Sequence, residues 1–292
     1  EGILEIVRDF RRLLDGYQDR CGIGEIYLPL ERWVRYYGLK QGEGLHLPFN
    51  FRLIQLPWDA GAIRRSVDEL QAALPSWGWP NYVLGNHDQP RVASRFGSAQ
   101  ARTAAMLLLT LRGTPTLYYG DELGMENGVI PADRLQDPPG LALGPGRSRD
   151  VCRTPMQWDT SQNAGFSPAE PWLPISADYA YRNVAAQSAD TTSMLNLVRR
   201  LLWYRRENPV LQRGAYRSLE IQGADDCFVY QRGSAGGPQR VIALNFGAEP
   251  CRLFLPDMQR GVVALSTYLD REGEEGLAPL SLRAHEGVIV EL

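Results

Sequence analysis

The sequence predicts an α/β fold: parallel β-strands alternating with helices, then a smaller antiparallel β-module. Three observations carry this. From residue 1 to residue 125, segments with helical spacing alternate with short apolar runs. Those runs recur at roughly 25 to 40 residues, the spacing of βαβ units rather than of hairpins. Beyond about residue 214 the pattern switches to short alternating strands divided by turn residues.

The elements follow in order. Ile3, Ile6, Val7, Phe10, Leu13 and Leu14 recur at helical spacing, with Arg and Asp on the other face. "CGIGEIYLP" reads as a short buried strand, "LERWVRYYG" as a helix, and "LHLPFNFRLIQL" as a strand with a helical start behind it. "DAGAIRRSVDELQAALP" is an amphipathic helix with Asp59 as N-cap and Pro75 as stop. "NYVLGNHD" is a strand, "SAQARTAAMLLLTLRG" a helix closed by Gly113, and "TPTLYYGDELGM" a strand with Gly120 at its end. Residues 125–175 have no periodicity and are rich in Pro and Gly, as in a functional lid or cleft wall. "TTSMLNLVRRLLWYRREN" is a further helix, capped by Thr191 or Thr192 and halted by Pro209. Six strand-like runs then follow, the last of them "LSLRAHEGVIVEL". The expected division is residues 1–210 and 211–292.

Bulk properties exclude several function classes. Net charge is −3 across 292 residues, with no basic run to bind nucleic acid or an anionic membrane. No apolar run approaches the roughly 18 residues of a membrane span. Hydrophobic residues make up 44%, enough for a sizeable core. Cys21, Cys152, Cys227 and Cys251 are scattered and form no CxxC or Cys/His cluster. No metal or other cofactor is therefore expected, and a reducing, cytoplasmic setting is. The chain starts Glu1-Gly2-Ile3, without Met or a signal pattern, which reads as the continuation of something longer.

Polar groups stand at the carboxyl end of each predicted parallel strand: Glu25, Asn50, Asn86-His87-Asp88 and Asp121-Glu122. That edge is where α/β proteins bind ligands. Carboxyls there suit acid/base chemistry such as glycoside hydrolysis, which needs two of them around one bond. Glu25, between Gly22-Ile23-Gly24 and Ile26, reads as an acid kept protonated by apolar neighbours. Asp88 suits charge stabilisation of an oxocarbenium ion, with His87 donating to a neighbouring hydroxyl. Each group also has an ordinary reading as a salt-bridge partner, a helix cap or a structural pair.

These residues resemble the α-amylase family of glycoside hydrolases. "NHDQPRVASRFG" (86–97) is similar to the family's fourth conserved region, in the form typical of its α-glucosidase and oligo-1,6-glucosidase branch. "GEIYLP" (24–29) resembles the third region, "GTPTLYYGDELGM" (113–125) the eighth barrel strand, and "CRTPMQWD" (152–159) with "NAGFS" (163–167) a motif of that branch. The resemblance implies a (β/α)8 barrel followed by a β-sandwich domain. It implies Glu25 as general acid/base, and His87 with Asp88 as transition-state contacts around the reacting glucose. Arg149 or Arg153 would hold that glucose, with Arg153 favoured. Phe49 either lines the cleft or belongs to the core.

One departure is large. The family's nucleophile Asp, in a "GFRxD"-type motif on the fourth strand, is absent, and so is the "DxVxNH" motif of the third. The strand carrying Glu25 corresponds to the fifth. The resemblance therefore implies the second half of the barrel plus the C-terminal domain, with the missing N-terminal half as partner and a small α-glucoside as substrate. The leading reading is a retaining α-glucosidase, inactive as this chain alone. A sucrose or trehalose isomerase or synthase is an alternative. So is a non-catalytic barrel scaffold of the kind found in amino-acid transporter heavy chains.

Overall fold

The computed structural model describes residues 2–234, 236–255, 260–275 and 279–292. The first helical segment forms α1 (Gly2–Asp15), in which Val7 alone is buried. Ile3, Ile6, Phe10 and Leu13 are exposed, so this apolar stripe covers no core formed by the described residues. The next run yields only β1 (Ile23–Gly24), shorter than its composition implies. It is followed by α2 (Leu30–Trp33) and a 3-10 turn at Val34–Tyr37. β1 pairs in parallel with β2 (Leu47–Pro48), Ile23 opposite Leu47 and Gly24 opposite Pro48. Pro48 has no N–H with which to extend the ladder.

After α3 (Arg52–Gln55) comes α4 (Ala60–Ala73). Its cap is the expected one: Asp59 Oδ1 accepts the Ala62 N–H at 2.7 Å. Ile63, Val67 and Leu70 form its buried face. β3 (Asn81–Val83) and β4 (Thr114–Thr116) form a second parallel pair. Between them lie α5 (Val92–Phe96) and α6 (Ser98–Thr110), the latter buried at ten positions. α6 ends at Leu111, which is already extended, and not at Gly113. Gly113 instead starts the return to β4 at φ +142°, where a Cβ would lie 2.5 Å from the Pro80 carbonyl. The parallel strands are thus joined two by two, and no ladder connects β2 to β3 among the described residues.

Residues 125–175 are not structureless. They contain 3-10 turns and the short helix α7 (Pro138–Leu143). Helices α8 (Val184–Ala189), α9 (Met194–Glu207) and α10 (Pro209–Arg213) follow. The cap of α9 is Ser193, not Thr191 or Thr192. Thr192 is engaged elsewhere, its hydroxyl and N–H both bound by Asp190 Oδ1.

The C-terminal strands are β5 (Ala215–Leu219), β6 (Cys227–Gly233), β7 (Gln239–Asn245), β8 (Cys251–Leu253), β9 (Val262–Ser266), β10 (Leu280–Leu282) and β11 (Gly287–Glu291). Five form one antiparallel sheet in the order β5-β6-β7-β11-β9, and β8 pairs with β10. The last run is therefore two strands rather than one. Buried Glu286 causes the break: its carboxylate accepts the Arg283 N–H at 2.8 Å and binds Arg271 at 3.1 Å, folding 283–286 into a turn.

Strand alternation divides the five-stranded sheet into two buried faces. Val229, Val241, Ala243, Val288 and Val290 pack with Leu253, Leu280 and Leu282 of the small sheet. Phe228, Tyr230, Ile242, Leu244 and Ile289 pack instead on α4, α6 and α9, in one cluster with Val67, Leu107 and Leu201. Arg232 fixes this junction. It is fully buried, and its guanidinium donates to the carbonyls of Thr110, Leu211 and Gly214, the latter two at 2.9 Å.

Candidate active site

The polar ends of the strands divide into an open group and a buried one. Asn86 lies just beyond β3 and organises the open group. Its Oδ1 accepts the Asp88 N–H at 3.0 Å, and its Nδ2 reaches the Tyr27 hydroxyl at 3.4 Å. Tyr27, two residues past Glu25, stacks flat on Phe51 with ring centroids 4.3 Å apart. Burial raises the Tyr27 phenol above its ordinary pKa, and the charges of Glu25 and Asp88 push the same way. Both carboxylates therefore lie within electrostatic reach of one hydroxyl. Glu25 itself is exposed, not enclosed by apolar neighbours as the sequence suggests. The reason is β1, which is paired on one side only among the described residues.

Asp88 is held by two guanidiniums. Its Oδ1 accepts from Arg149 Nη1 at 2.8 Å and from Arg153 Nη2 at 2.9 Å, with His87 Nε2 3.4 Å away. The sequence leaves a choice between Arg149 and Arg153; the structure brings both to the same oxygen. Behind them is Asp137, a residue that sequence reasoning misses. Its buried carboxylate is bound by Arg149 through Nε and Nη2, at 2.6–3.1 Å, and Arg153 lies 3.6 Å away. Hydrogen bonds from Arg149 hold the Asp137 carboxyl down at about 2. Two carboxylates and two guanidiniums thus form a closed ring joining the end of β3 to the long loop.

The loop is fastened at several points. Asp150 Oδ2 accepts the N–H groups of Gln136 and Asp137, at 2.7 and 2.9 Å. The His87 carbonyl accepts from Arg153 Nε at 2.7 Å. Tyr118 and Tyr119, just past β4, donate to the carbonyls of Cys152 and Thr154 at 3.1 and 2.8 Å. A cleft of about 710 Å³ opens beside the ring, between Asp137, Arg153 and the aromatic walls of Tyr119, Trp158, Phe166 and Trp172. His87 is exposed. Phe49 is half-buried against Phe51 at 5.5 Å and belongs to the small cluster of Phe51, Ile54 and Val83 beneath the rim.

The remaining strand end is closed. Asp121 is half-buried with its Oδ1 enclosed, and that burial pushes its carboxyl up to about 7. Its Oδ1 has no hydrogen-bond partner among the described residues. It packs against the backbone just past β3: a Cβ on Gly85 would lie 2.7 Å from Asp121 Oδ2. Arg91, fully buried, sits over the rings of Tyr118 and Tyr119 at 5.2 and 4.9 Å. Asp121 therefore belongs to the packing behind the rim rather than to the rim. Among the described residues, no group of three or more His, Cys, Asp or Glu could hold a metal ion.

Residues 2–214 match the alpha-amylase catalytic domain. A salivary alpha-glucosidase of Anopheles gambiae is 37% identical over 262 residues, covering 85% of this chain and 44% of the relative. An amino acid transporter heavy chain of Homo sapiens is 34% identical, over 99% of this chain and 43% of its own length. Among solved structures, the trehalulose synthase of Pseudomonas mesoacidophila superposes with a TM-score of 0.88 at 29% identity, covering 99% of this chain and 58% of that one. The chain thus spans less than half the length of these curated relatives.

Proposed function

The chain belongs to the alpha-amylase family, and we propose that it forms part of a retaining α-glucosidase acting at the non-reducing end of small α-glucosides. The observation that carries this is the convergence of Asp88, His87, Arg149 and Arg153 at one rim beside an aromatic-walled cleft, with Tyr27, two residues past Glu25, bonded to Asn86 of the same rim. In this reading Glu25 protonates the leaving oxygen and then activates water. Its exposed setting fits a carboxyl whose apolar enclosure comes from the opposite half of the barrel.

Asp88 faces the positive charge that develops on the sugar ring. Its orientation is set by the two guanidiniums, so no reorganisation is needed when that charge appears. His87 is exposed, with its carbonyl tied to Arg153 and its imidazole 3.4 Å from Asp88, and its ring donates to a sugar hydroxyl. Arg153 and Arg149 contact the bound glucose while bracing Asp88. Phe49 packs on Phe51 beneath the rim rather than touching sugar. Retaining hydrolysis needs a second carboxylate about 5 Å from the acid. We place that nucleophile in the missing N-terminal half, so the isolated chain is inactive.

The experiment compares this chain with the longer protein containing it, using a nitrophenyl α-glucoside. Turnover is expected only from the longer protein, with Glu25→Gln lowering kcat by about 10²–10⁴. Turnover by this chain alone, abolished by Glu25→Gln, overturns the assignment of the nucleophile. Similarity to a transporter heavy chain supports a second reading as an interaction scaffold. Absence of turnover in the longer protein selects it. Product analysis with sucrose separates hydrolysis from the isomerase alternative, which similarity to a trehalulose synthase supports.

A further inference from the structure

Cys227 and Cys251 are 24 positions apart in sequence, yet their sulfurs lie 2.8 Å from each other. Cys227 opens β6 in the five-stranded sheet, and Cys251 opens β8 in the two-stranded one. The pair therefore spans the gap between the sheets, at the edge of the core made by Val229, Ala243 and Leu253. Both are free thiols, Cys227 buried and Cys251 partly accessible. Forming a bond requires only a further approach to about 2.0 Å. The scattering that makes these cysteines look unrelated in sequence conceals a dithiol in space.

We propose that Cys227 and Cys251 form an intersheet disulfide by exchange with small-molecule disulfides such as oxidised glutathione. Access assigns the roles. Cys251, reachable from solvent, attacks first, and Cys227, behind it, resolves. The hydrogen bond between them favours this order, lowering the Cys251 thiol and raising that of Cys227. The Cys251 thiolate attacks one sulfur of the small disulfide, whose S–S bond breaks, and one small thiolate leaves and takes up a proton. Cys227 then gives its proton to water and attacks the Cys251 sulfur. The mixed S–S bond breaks and the second small thiol leaves. The two protein thiols lose two electrons in total, and the small disulfide gains them.

The product is a staple between β6 and β8 that constrains the unfolded chain and stabilises the β-module. In a reducing compartment the pair stays open and the module relies on packing alone. The test uses the full chain in a Cys21→Ala background, which removes the exposed thiol. Incubation with oxidised glutathione is followed by thiol titration, non-reducing peptide mapping and thermal melting. The expected result is the loss of two thiols, a Cys227–Cys251 cross-linked peptide without retained glutathione, and a melting midpoint raised by several degrees and restored by dithiothreitol. Cys227→Ser should trap glutathione on Cys251, and Cys251→Ser should take up none. A stable glutathione adduct on Cys251 with Cys227 intact, persistence of all thiols, or equal cross-linking yield in urea overturns the proposal.

Discussion

The two parallel strand pairs make an instructive contrast. At the β1–β2 end, Glu25 is exposed and α1 presents Ile3, Ile6, Phe10 and Leu13 to solvent. At the β3–β4 end, Asp121 is half-buried with its Oδ1 enclosed, and α6 is enclosed by α9 and by the C-terminal sheet. Both ends were written with a carboxyl after a short strand. Their fates differ because neighbours, not local sequence, decide exposure. The enclosed end carries the stability of the described chain, and the open end carries the groups available for chemistry.

The largest expected effect lies on the enclosed side. Phe228→Ala, at the junction of β6 with α4 and α6, should cost about 3–5 kcal/mol in denaturant unfolding, as for other buried aromatic truncations. A loss near zero would mean that the sheet does not brace the barrel helices.

The next concerns Asp121, whose carboxyl burial holds at about 7. The folded chain then keeps a proton that the unfolded chain releases near pH 4. Stability should fall as pH rises from about 4 to about 7, by on the order of a few kcal/mol, and level off above. Asp121→Asn should abolish that slope in melts across the same range. A slope of opposite sign would show an ionised Asp121 paired with Arg91.

A smaller effect is expected in the long loop. Arg149→Ala strips buried Asp137 of its main partner, and cleavage within residues 125–175 should accelerate about tenfold in limited proteolysis. Because Asp137 is held down at about 2, its contribution to the intact chain persists above about pH 4 and is lost as pH falls towards 2. The smallest effect tests the open side: Ile6→Ala should change stability by less than about 0.5 kcal/mol. A large loss there would reveal a partner for α1 in solution.

What the sequence makes legible follows the same division. Local rules worked where the chain supplies its own partners: Asp59 caps α4 as its position before the apolar repeat indicates. They misplaced the cap of α9 because three hydroxyl residues stand in a row, and Asp190 claims Thr192, leaving Ser193. The rim trio Asn86-His87-Asp88 could be picked out as polar residues after an apolar run. Asp137 could not, because its partners, Arg149 and Arg153, are joined to it only through the folded loop. The one available signal was an Asp before Pro138-Pro139 in a segment without periodicity, too weak to imply a buried carboxylate. The thiol pair is invisible for the same reason: facing sheets, not spacing, bring Cys227 to Cys251.

The five-stranded sheet, buried on both faces, sets the smallest piece of this chain that can be handled as a unit. The match to the alpha-amylase catalytic domain ends at residue 214. The packing does not, since Tyr230, Ile242, Leu244 and Ile289 sit in one cluster with Val67 and Leu107. A gene trimmed at the limit of the catalytic-domain match would yield helices stripped of their covering and prone to stick to one another. Swapping C-terminal modules among relatives would likewise have to carry the matching faces of α4, α6 and α9. Here the border of the catalytic-domain match and the border of cohesion are different lines.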